Sequence, residues 1–239
     1  MTSFTRRTSN FKFFPYNING HELERKESMR DLGVIYDSKL TFNEHVDHVC
    51  GKARRMMGFV MRSGKFFKDP FTFTTLYNAR VRSNVEYATV IWNPHTSTQK
   101  LKIERVQHKF LKFVNMKCFH GHADDNINYA EIEKRLRLDT LEMRRSIADV
   151  KFTTKSFNGL VDAQTFLHHL PRAETTTTRS ENVFRLKQSR TDCGKFSIAN
   201  RLMTTFNTIC DSDAWLRAQP DDYNLKNFIR SKLSIETLD

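Results

Sequence analysis

A chain of 239 residues with 38% hydrophobic residues and 20 phenylalanines can bury one good core, which excludes a wholly disordered protein. Its 39 Lys and Arg outnumber its 27 Asp and Glu, so the formal net charge is +12 and the pI is about 9.7. An excess of this size favours polyanionic partners, nucleic acid first and acidic membrane surfaces second. No apolar run approaches the roughly 20 residues that cross a bilayer, so we expect no membrane span.

The four cysteines are scattered without CxxC spacing, at Cys50, Cys118, Cys193 and Cys210. This pattern favours reduced thiols inside a cell, in the nucleus or the cytoplasm. Residues 1–21 are basic and contain no acid, as in a mitochondrial transit peptide. Phe11–Phe14 followed by Pro15 is, however, more typical of a strand that ends at a turn.

Residues 1–40 are predicted to be extended. The strand candidates are Ser3–Arg7, Phe11–Phe14, Glu22–Glu27 and Leu32–Tyr36. Asn17–Gly20 predicts a turn, because Asn-Gly tolerates positive φ, and Gly33 marks a tight turn or a close approach. A sheet this small needs a helical body to cover one face.

Three helices are predicted next. The first begins at Thr41–Glu44, which has capping-box spacing, and ends at Ser63-Gly64. Asp69-Pro70 starts the second as N-cap and N1, and Pro94 ends it. The third spans about Thr98 to Asn115. The apolar stripes of the three are Val46, Val49, Cys50, Ala53, Met57 and Val60; Phe73, Tyr77, Val81, Val85, Ala88 and Trp92; and Ile103, Val106, Phe110 and Phe113. The pattern predicts a bundle.

The remainder is also predicted to be helical. Helices are expected at Tyr129–Leu136, 139–158, Asp162–Leu170, Phe196–Cys210 and Tyr223–Ile235, with Pro171–Asn182 as a linker. Asp139 is the predicted cap of the 139–158 helix, with Glu142 as its reciprocal partner and Gly159 as its stop. The fold class is therefore mainly α: a helical bundle with a small N-terminal antiparallel β segment and a helical C-terminal region.

A basic set lies on and after the first long helix, at Lys52, Arg54, Arg55, Arg62, Lys65 and Lys68. A helix with one apolar and one cationic face suits sequence-independent phosphate contact. Arg80, Arg82, Lys100, Lys102, Lys109 and Lys112 could extend the track. The alternative is a solvated face that keeps the bundle soluble.

Three other groups of residues contain the residue types of catalytic or metal-binding sites. Ala123-Asp124-Asp125 has the form of a polymerase carboxylate pair, but it lies in a polar loop without the apolar strands that two-metal catalysis needs. Cys118-x-His120-x-His122 has ligand types without a second nearby pair, so a polar loop is favoured over a metalloenzyme site. Asp139–Arg145 is dense in charge, and helix capping and i,i+4 pairing account for it. We therefore predict no catalytic residue and no metal ligand.

An ordered motif series runs through the chain. It begins at Asp31 with DLGV, Asp37, Leu40, Phe42 and His45, and continues with Lys52-Ala53, Gly58-Phe59, Leu76-Tyr77, Val81-Arg82-Ser83, Glu86-Tyr87-Ala88, Trp92-Asn93-Pro94, Ile103-Glu104, Gln107, Phe110, Leu141-Glu142, Arg144-Arg145 and Asn158-Gly159. Through about residue 165 the series resembles the last polymerase motif, thumb and post-thumb region of jockey-like non-LTR retrotransposon reverse transcriptases.

The resemblance implies a template–primer-binding thumb and a primer-grip-like role for Leu32 and Gly33. It divides the chain into a palm and primer-grip remnant (1–40), a three-helix thumb (41–115), a helical post-thumb region (116–170), a linker (171–193) and a helical tail (194–239). In that family the catalytic aspartates precede DLGV, so a truncated, catalytically inactive fragment is expected, and Mg²⁺ belongs only to the intact polymerase. The implied partner is an RNA–DNA hybrid or RNA. The alternative is an unrelated basic helical nucleic-acid-binding or interaction module.

Overall fold

The computed structural model describes residues 2–4, 14–119, 127–173, 182–210, 216 and 223–236. Most of this is helical, with small antiparallel strand pairs near the N-terminus, so the predicted fold class is confirmed. The strands are β1 (Asn17–Ile18), β2 (His21–Glu22), β3 (Ser28–Asp31) and β4 (Val34–Asp37). The helices are α1 (Asn43–Ser63), α2 (Pro70–Tyr77), a π-helix (Asn78–Arg82), α3 (Ser83–Glu86), α4 (Thr89–Trp92), α5 (Ser97–Cys118), α6 (Tyr129–Leu136), α7 (Leu141–Phe157), α8 (Gln164–Leu167), α9 (Asp192–Lys195), α10 (Ile198–Ile209) and α11 (Tyr223–Glu236).

Most of the strand candidates Ser3–Arg7 and Phe11–Phe14, and most of the linker, lie outside the described residues. A membrane-spanning helix is not found among the residues that are described.

The strands form two separate hairpins, not the single predicted sheet. Asn19 and Gly20 turn the first with φ of 50° and 82°, as the Asn-Gly signal predicts. In the second, Ser28 to Asp31 pair with Asp37 to Val34. Only this second hairpin buries apolar side chains, Val34 and Ile35, and it packs on α1. The two-residue strands β1 and β2 are exposed on both faces and have nothing to add to that core.

The predicted capping box at Thr41–Glu44 is wrong. The N-cap of α1 is Phe42, in the left-handed region at φ 57°, and its side chain makes no capping hydrogen bond. Asp37 holds the junction instead: its carboxylate accepts hydrogen bonds from the backbone N–H groups of Thr41 (2.9 Å) and Phe42 (2.7 Å). Partial burial alone would raise the pKa of Asp37, but these hydrogen bonds bring it below its ordinary value.

The second predicted helix starts as expected, since the Asp69 carboxylate accepts from the Thr72 N–H at 2.7 Å and Pro70 follows at N1. It does not continue to Pro94. A π-helix follows α2, and Ala88 adopts a left-handed φ of 54° before α4. On a helix of 3.6 residues per turn, side chains four positions apart differ by about 40° in their direction around the helix axis. A π-turn takes up part of that difference, which is how Val81 stays buried after Tyr77.

The chain divides into two compact units, residues 1–88 with 96–132, and residues 89–95 with 133–239. In the first, α1, α2, the π-helix and α5 enclose the core. The Tyr77 ring stacks on Phe110 with centroids 4.2 Å apart, and its hydroxyl donates to Gln107 Oε1 at 3.0 Å. The bundle of α1, α2 and α5 agrees with the predicted helices, while the five-part domain division stays a prediction.

The second unit has its own core between α7, α10 and α11. Its central side chains are Val150, Met203, Phe206, Ile209, Leu225 and Ile229. Thr140, not Asp139, caps α7, because its hydroxyl accepts from the Met143 N–H at 3.1 Å. Asp139 instead accepts from the Arg230 guanidinium at 2.8 Å. The predicted Asp139 cap is therefore wrong, although Gly159 takes a left-handed φ of 69° just after the helix, as expected of a stop.

Candidate nucleic-acid interface

Helix α1 buries one face in the first unit. Its buried residues are His45, Val46, Val49, Cys50, Ala53, Met57 and Val60. This set includes every residue of the predicted apolar stripe. The basic residues are on the other faces: Lys52, Arg54, Arg55, Arg62, Lys65 and Lys68 are all exposed. Residues 48–68 contain these six cations and no Asp or Glu. The result is a basic, solvent-facing stretch beside an apolar core.

The six cations do not form one track. At about 100° per residue, Arg55 and Arg62 lie opposite the buried face, within about 20° of each other. Lys52 and Arg54 flank that face from opposite sides, about 160° apart. Lys52, Arg55 and Arg62 therefore fall within one arc of about 80°, and one polyanion lying along α1 can contact all three. Arg54 lies outside that arc.

Two glycines leave space on the helix surface for the side chains of Arg55 and Arg62. A Cβ atom at Gly58 would lie 3.3 Å from Arg62 Nη1, and one at Gly51 would lie 3.7 Å from Arg55 Nη1. Each guanidinium thus lies back over the residue four positions earlier, the direction in which helical side chains point. The glycines let both guanidinium groups rest against the helix while remaining exposed.

Lys65 and Lys68 lie in the turn after α1, and this turn is firmly held. The buried Gly64 donates its N–H to Val60 O at 2.9 Å, and a Cβ atom there would come within 2.3 Å of the Phe73 ring. Lys117 Nζ donates to the carbonyls of Gly64 (2.7 Å) and Lys65 (3.0 Å). The sequence analysis missed Lys117, whose role depends on a contact between residues more than fifty positions apart.

The proposed extension of the track is only partly available. Arg82 pairs with Glu86 at 3.4 Å, and Lys102 pairs with Asp47. Arg80 and Lys109 are exposed, whereas Lys100 and Lys112 are half-buried. The pairing neutralises two of the six charges locally, so the α1 surface carries the stronger positive field.

Leu32 and Gly33 form the turn of the β3–β4 hairpin, with φ of 43° and 87°. Leu32 is 84% exposed, and its carbonyl accepts from the Tyr87 hydroxyl at 2.9 Å. A Cβ atom at Gly33 would touch the Tyr87 ring at 3.4 Å. Tyr87 therefore fixes the backbone of both residues and leaves the Leu32 side chain facing solvent, as a backbone-based role requires.

The other groups weighed in the sequence give no site in the described chain. His120, His122, Asp124 and Asp125 lie outside the described residues, while Cys118 is half-buried and burial raises the pKa of its thiol. Among the residues that are described, no cluster of three His, Cys, Asp or Glu side chains could hold a metal ion.

Exposed aromatic rings accompany the α1 cations. Phe59 is 53% exposed, and Phe66, in the turn, is 86% exposed. The sequence analysis did not select them, although Phe59 falls four residues after Arg55 and three before Arg62, a spacing that places it between them on the helix surface.

Comparisons with protein-family models, with curated proteins and with solved structures return no match to this chain.

Proposed function

We propose that this chain is the thumb and post-thumb part of a retrotransposon reverse transcriptase, and that it binds a template–primer duplex through α1. The observation that carries the proposal is the exposed basic surface of residues 48–68, a stretch without Asp or Glu, on a packed helical bundle. Lys52, Arg55 and Arg62 would contact phosphates, which hold the duplex without reading its sequence. The family named in the proposal rests on the resemblance of the motif series that begins with DLGV.

The N-terminal hairpins support the same proposal. Large apolar side chains in this region are exposed: Phe4, Phe14, Tyr16, Ile18, Met29 and Leu32. A self-contained basic module would be expected to bury such residues, whereas in a palm and primer-grip remnant they would face the rest of the polymerase palm. This distinguishes the proposal from the unrelated-module alternative.

We assign no reaction to the described residues. Polymerisation of DNA needs carboxylates that hold two metal ions, and the resemblance maps this chain to the region after those motifs. The binding partner would be an RNA–DNA hybrid or RNA, inside the cell in the nucleus or cytoplasm. Mg²⁺ would belong to the catalytic palm.

The alternative, a basic helical interaction module with a solvated cationic face, draws support from the pairs Arg82–Glu86 and Lys102–Asp47. These show that part of the positive charge serves the bundle itself.

Binding of the full chain to an RNA–DNA hybrid and to duplex DNA of the same sequence, across a salt series, tests the proposal. We expect tighter binding to the hybrid and a steep loss of affinity with salt. Neutralising Lys52, Arg54, Arg55 and Arg62 to glutamine should flatten that salt dependence. A folded protein that binds neither duplex in a salt-dependent way would contradict the proposal.

A further inference from the structure

Exposed aromatic rings alternate with arginines at the C-terminal end of α1. The order Arg55, Phe59, Arg62, Phe66 defines a surface that we name the Arg–Phe face. The first three residues share one side of the helix, and Phe66 follows in the turn. Of the phenylalanines in the described ranges, Phe66 is the most exposed, at 86%. Single exposed apolar residues are common on proteins, but two of them that alternate with two arginines in an acid-free stretch form a pattern.

The turn that carries Phe66 is held in place on both sides. Phe67 N–H donates to Gly64 O at 3.1 Å, and the Phe67 ring meets the buried Phe73 ring edge-on at 6.2 Å. Lys117 binds the carbonyls of Gly64 and Lys65. Because Phe67, although 43% exposed, contacts Phe73 and Lys117 holds the preceding carbonyls, the backbone that presents Phe66 to solvent is fixed. The exposure of Phe66 is a built feature of the turn.

We propose that the Arg–Phe face binds a single-stranded stretch of nucleic acid, with an unpaired base stacked on Phe66. Arginines that follow phosphates, combined with rings that stack on bases, are what single-strand binding surfaces use. A base inside a duplex, away from its two ends, cannot offer its face to a side chain, so the rings would add little to the binding of a long blunt duplex. The inference rests on the proposed function and adds a substrate: a duplex with a single-stranded extension.

The charge of the face selects this occupant over a protein partner. An apolar protein surface would gain from the rings but would leave Arg55 and Arg62 unpaired. A single strand satisfies both residue types, since its phosphates and bases alternate along the chain.

The test compares the full chain bound to a blunt RNA–DNA hybrid and to the same hybrid with a single-stranded extension, by fluorescence anisotropy. We expect the extension to strengthen binding. Phe66→Ala should weaken binding of the extended hybrid by about fivefold or more, the lower end of base stacking on an aromatic ring, and leave the blunt hybrid unchanged. Because the ring is exposed, this variant should keep its fold, which circular dichroism checks.

Three further variants sharpen the result. Phe66→Leu keeps an apolar side chain without a ring and should lose as much affinity as Phe66→Ala. Phe66→Trp should retain binding, and its added tryptophan emission should be quenched by the extended hybrid. Leu160→Ala is the control for an exposed apolar side chain elsewhere, because Leu160 is also largely exposed, at 62%, but belongs to the second unit; it should bind as the wild type does.

Two outcomes would overturn the inference, and they differ from failure of the proposed function. Wild-type affinity of Phe66→Ala for the extended hybrid would show that no base stacks there. Wild-type affinity of Phe66→Leu would replace stacking by general apolar contact. In either case, salt-dependent binding of the blunt hybrid would leave the proposed function standing. Absence of salt-dependent binding to both hybrids would remove both.

Discussion

At the scale of single residues, His45 links the β3–β4 hairpin to α1. Its Nδ1 accepts the Ile35 N–H at 3.2 Å, and its side chain is buried. Burial, with smaller contributions from His48 and Arg30, lowers the pKa of His45 to about 4. The imidazole must therefore be neutral in the folded chain, because the protonated ring cannot accept this hydrogen bond.

This pKa predicts a loss of stability in mild acid. Between about pH 6.5 and 4 the unfolded chain binds a proton at His45 that the folded chain does not. The contribution of neutral His45 to the free energy of unfolding is thus fully present above pH 6.5. As the pH falls toward 4, it declines by on the order of 2 kcal/mol. Urea unfolding at pH 7 and pH 5 measures it.

His45→Asn is the control for this prediction, since its amide oxygen takes the position of Nδ1, can accept the Ile35 N–H and does not titrate in this range. The pH dependence of its unfolding free energy should be smaller than that of the wild type. An unchanged pH dependence would assign the effect to another group, of which His108, whose pKa is also lowered by burial, is the first to examine.

At the scale of elements, Asp37 determines how the second hairpin passes into α1. The chain turns with Leu40 and Phe42 at positive φ, which is costly for such residues. The Asp37 carboxylate offsets this cost by accepting the N–H groups of Thr41 and Phe42. Phe42, the N-cap residue, has no side-chain cap of its own.

We therefore expect Asp37→Ala to destabilise the chain by about 1–2 kcal/mol, the range of a lost helix cap. Asp37→Asn, which keeps one acceptor oxygen, should lose less. Chemical denaturation at pH 7 gives both values. Equal stability of Asp37→Ala and the wild type would show that the junction is held by packing alone.

The elements also show what the sequence could and could not predict. Asp69-Pro70 and Asn19-Gly20 act within a few residues of their own positions, so local signals predicted them correctly. The Thr41–Glu44 box failed because the helix begins one residue later, with Phe42 as its N-cap, and because Asp37 from the preceding strand accepts the Thr41 N–H that the box assigns to Glu44. The helix from Asp69 to Pro94 failed because its four-residue apolar spacing needs a π-turn, and Ala88 breaks it.

The basic surface was only half predictable. Its charges are visible in the sequence, and so is the apolar stripe that places them outside the core. Which cations remain unpaired on the surface depends on Asp47 and Glu86, and the fixed turn depends on Lys117. Such pairings follow from packing, which periodicity along one helix does not specify.

At the scale of the whole molecule, the net charge of +12 alone would give weak, diffuse attraction to any polyanion. The proposed function claims more: that affinity arises at Lys52, Arg55 and Arg62, within one arc of α1. The chain offers a matched comparison, because Arg185, Lys187 and Arg190 are also exposed and belong to the second unit. Changing either set to glutamine lowers the formal net charge to +9.

The most direct measurement is the salt dependence of hybrid binding for the wild type and these two triple variants. Each phosphate contact contributes about one to the slope of log affinity against log salt. The account predicts that the α1 variant loses about three from this slope while the Arg185–Lys187–Arg190 variant stays near the wild type. Equal losses in both variants would contradict it, because binding would then follow net charge and not the α1 surface.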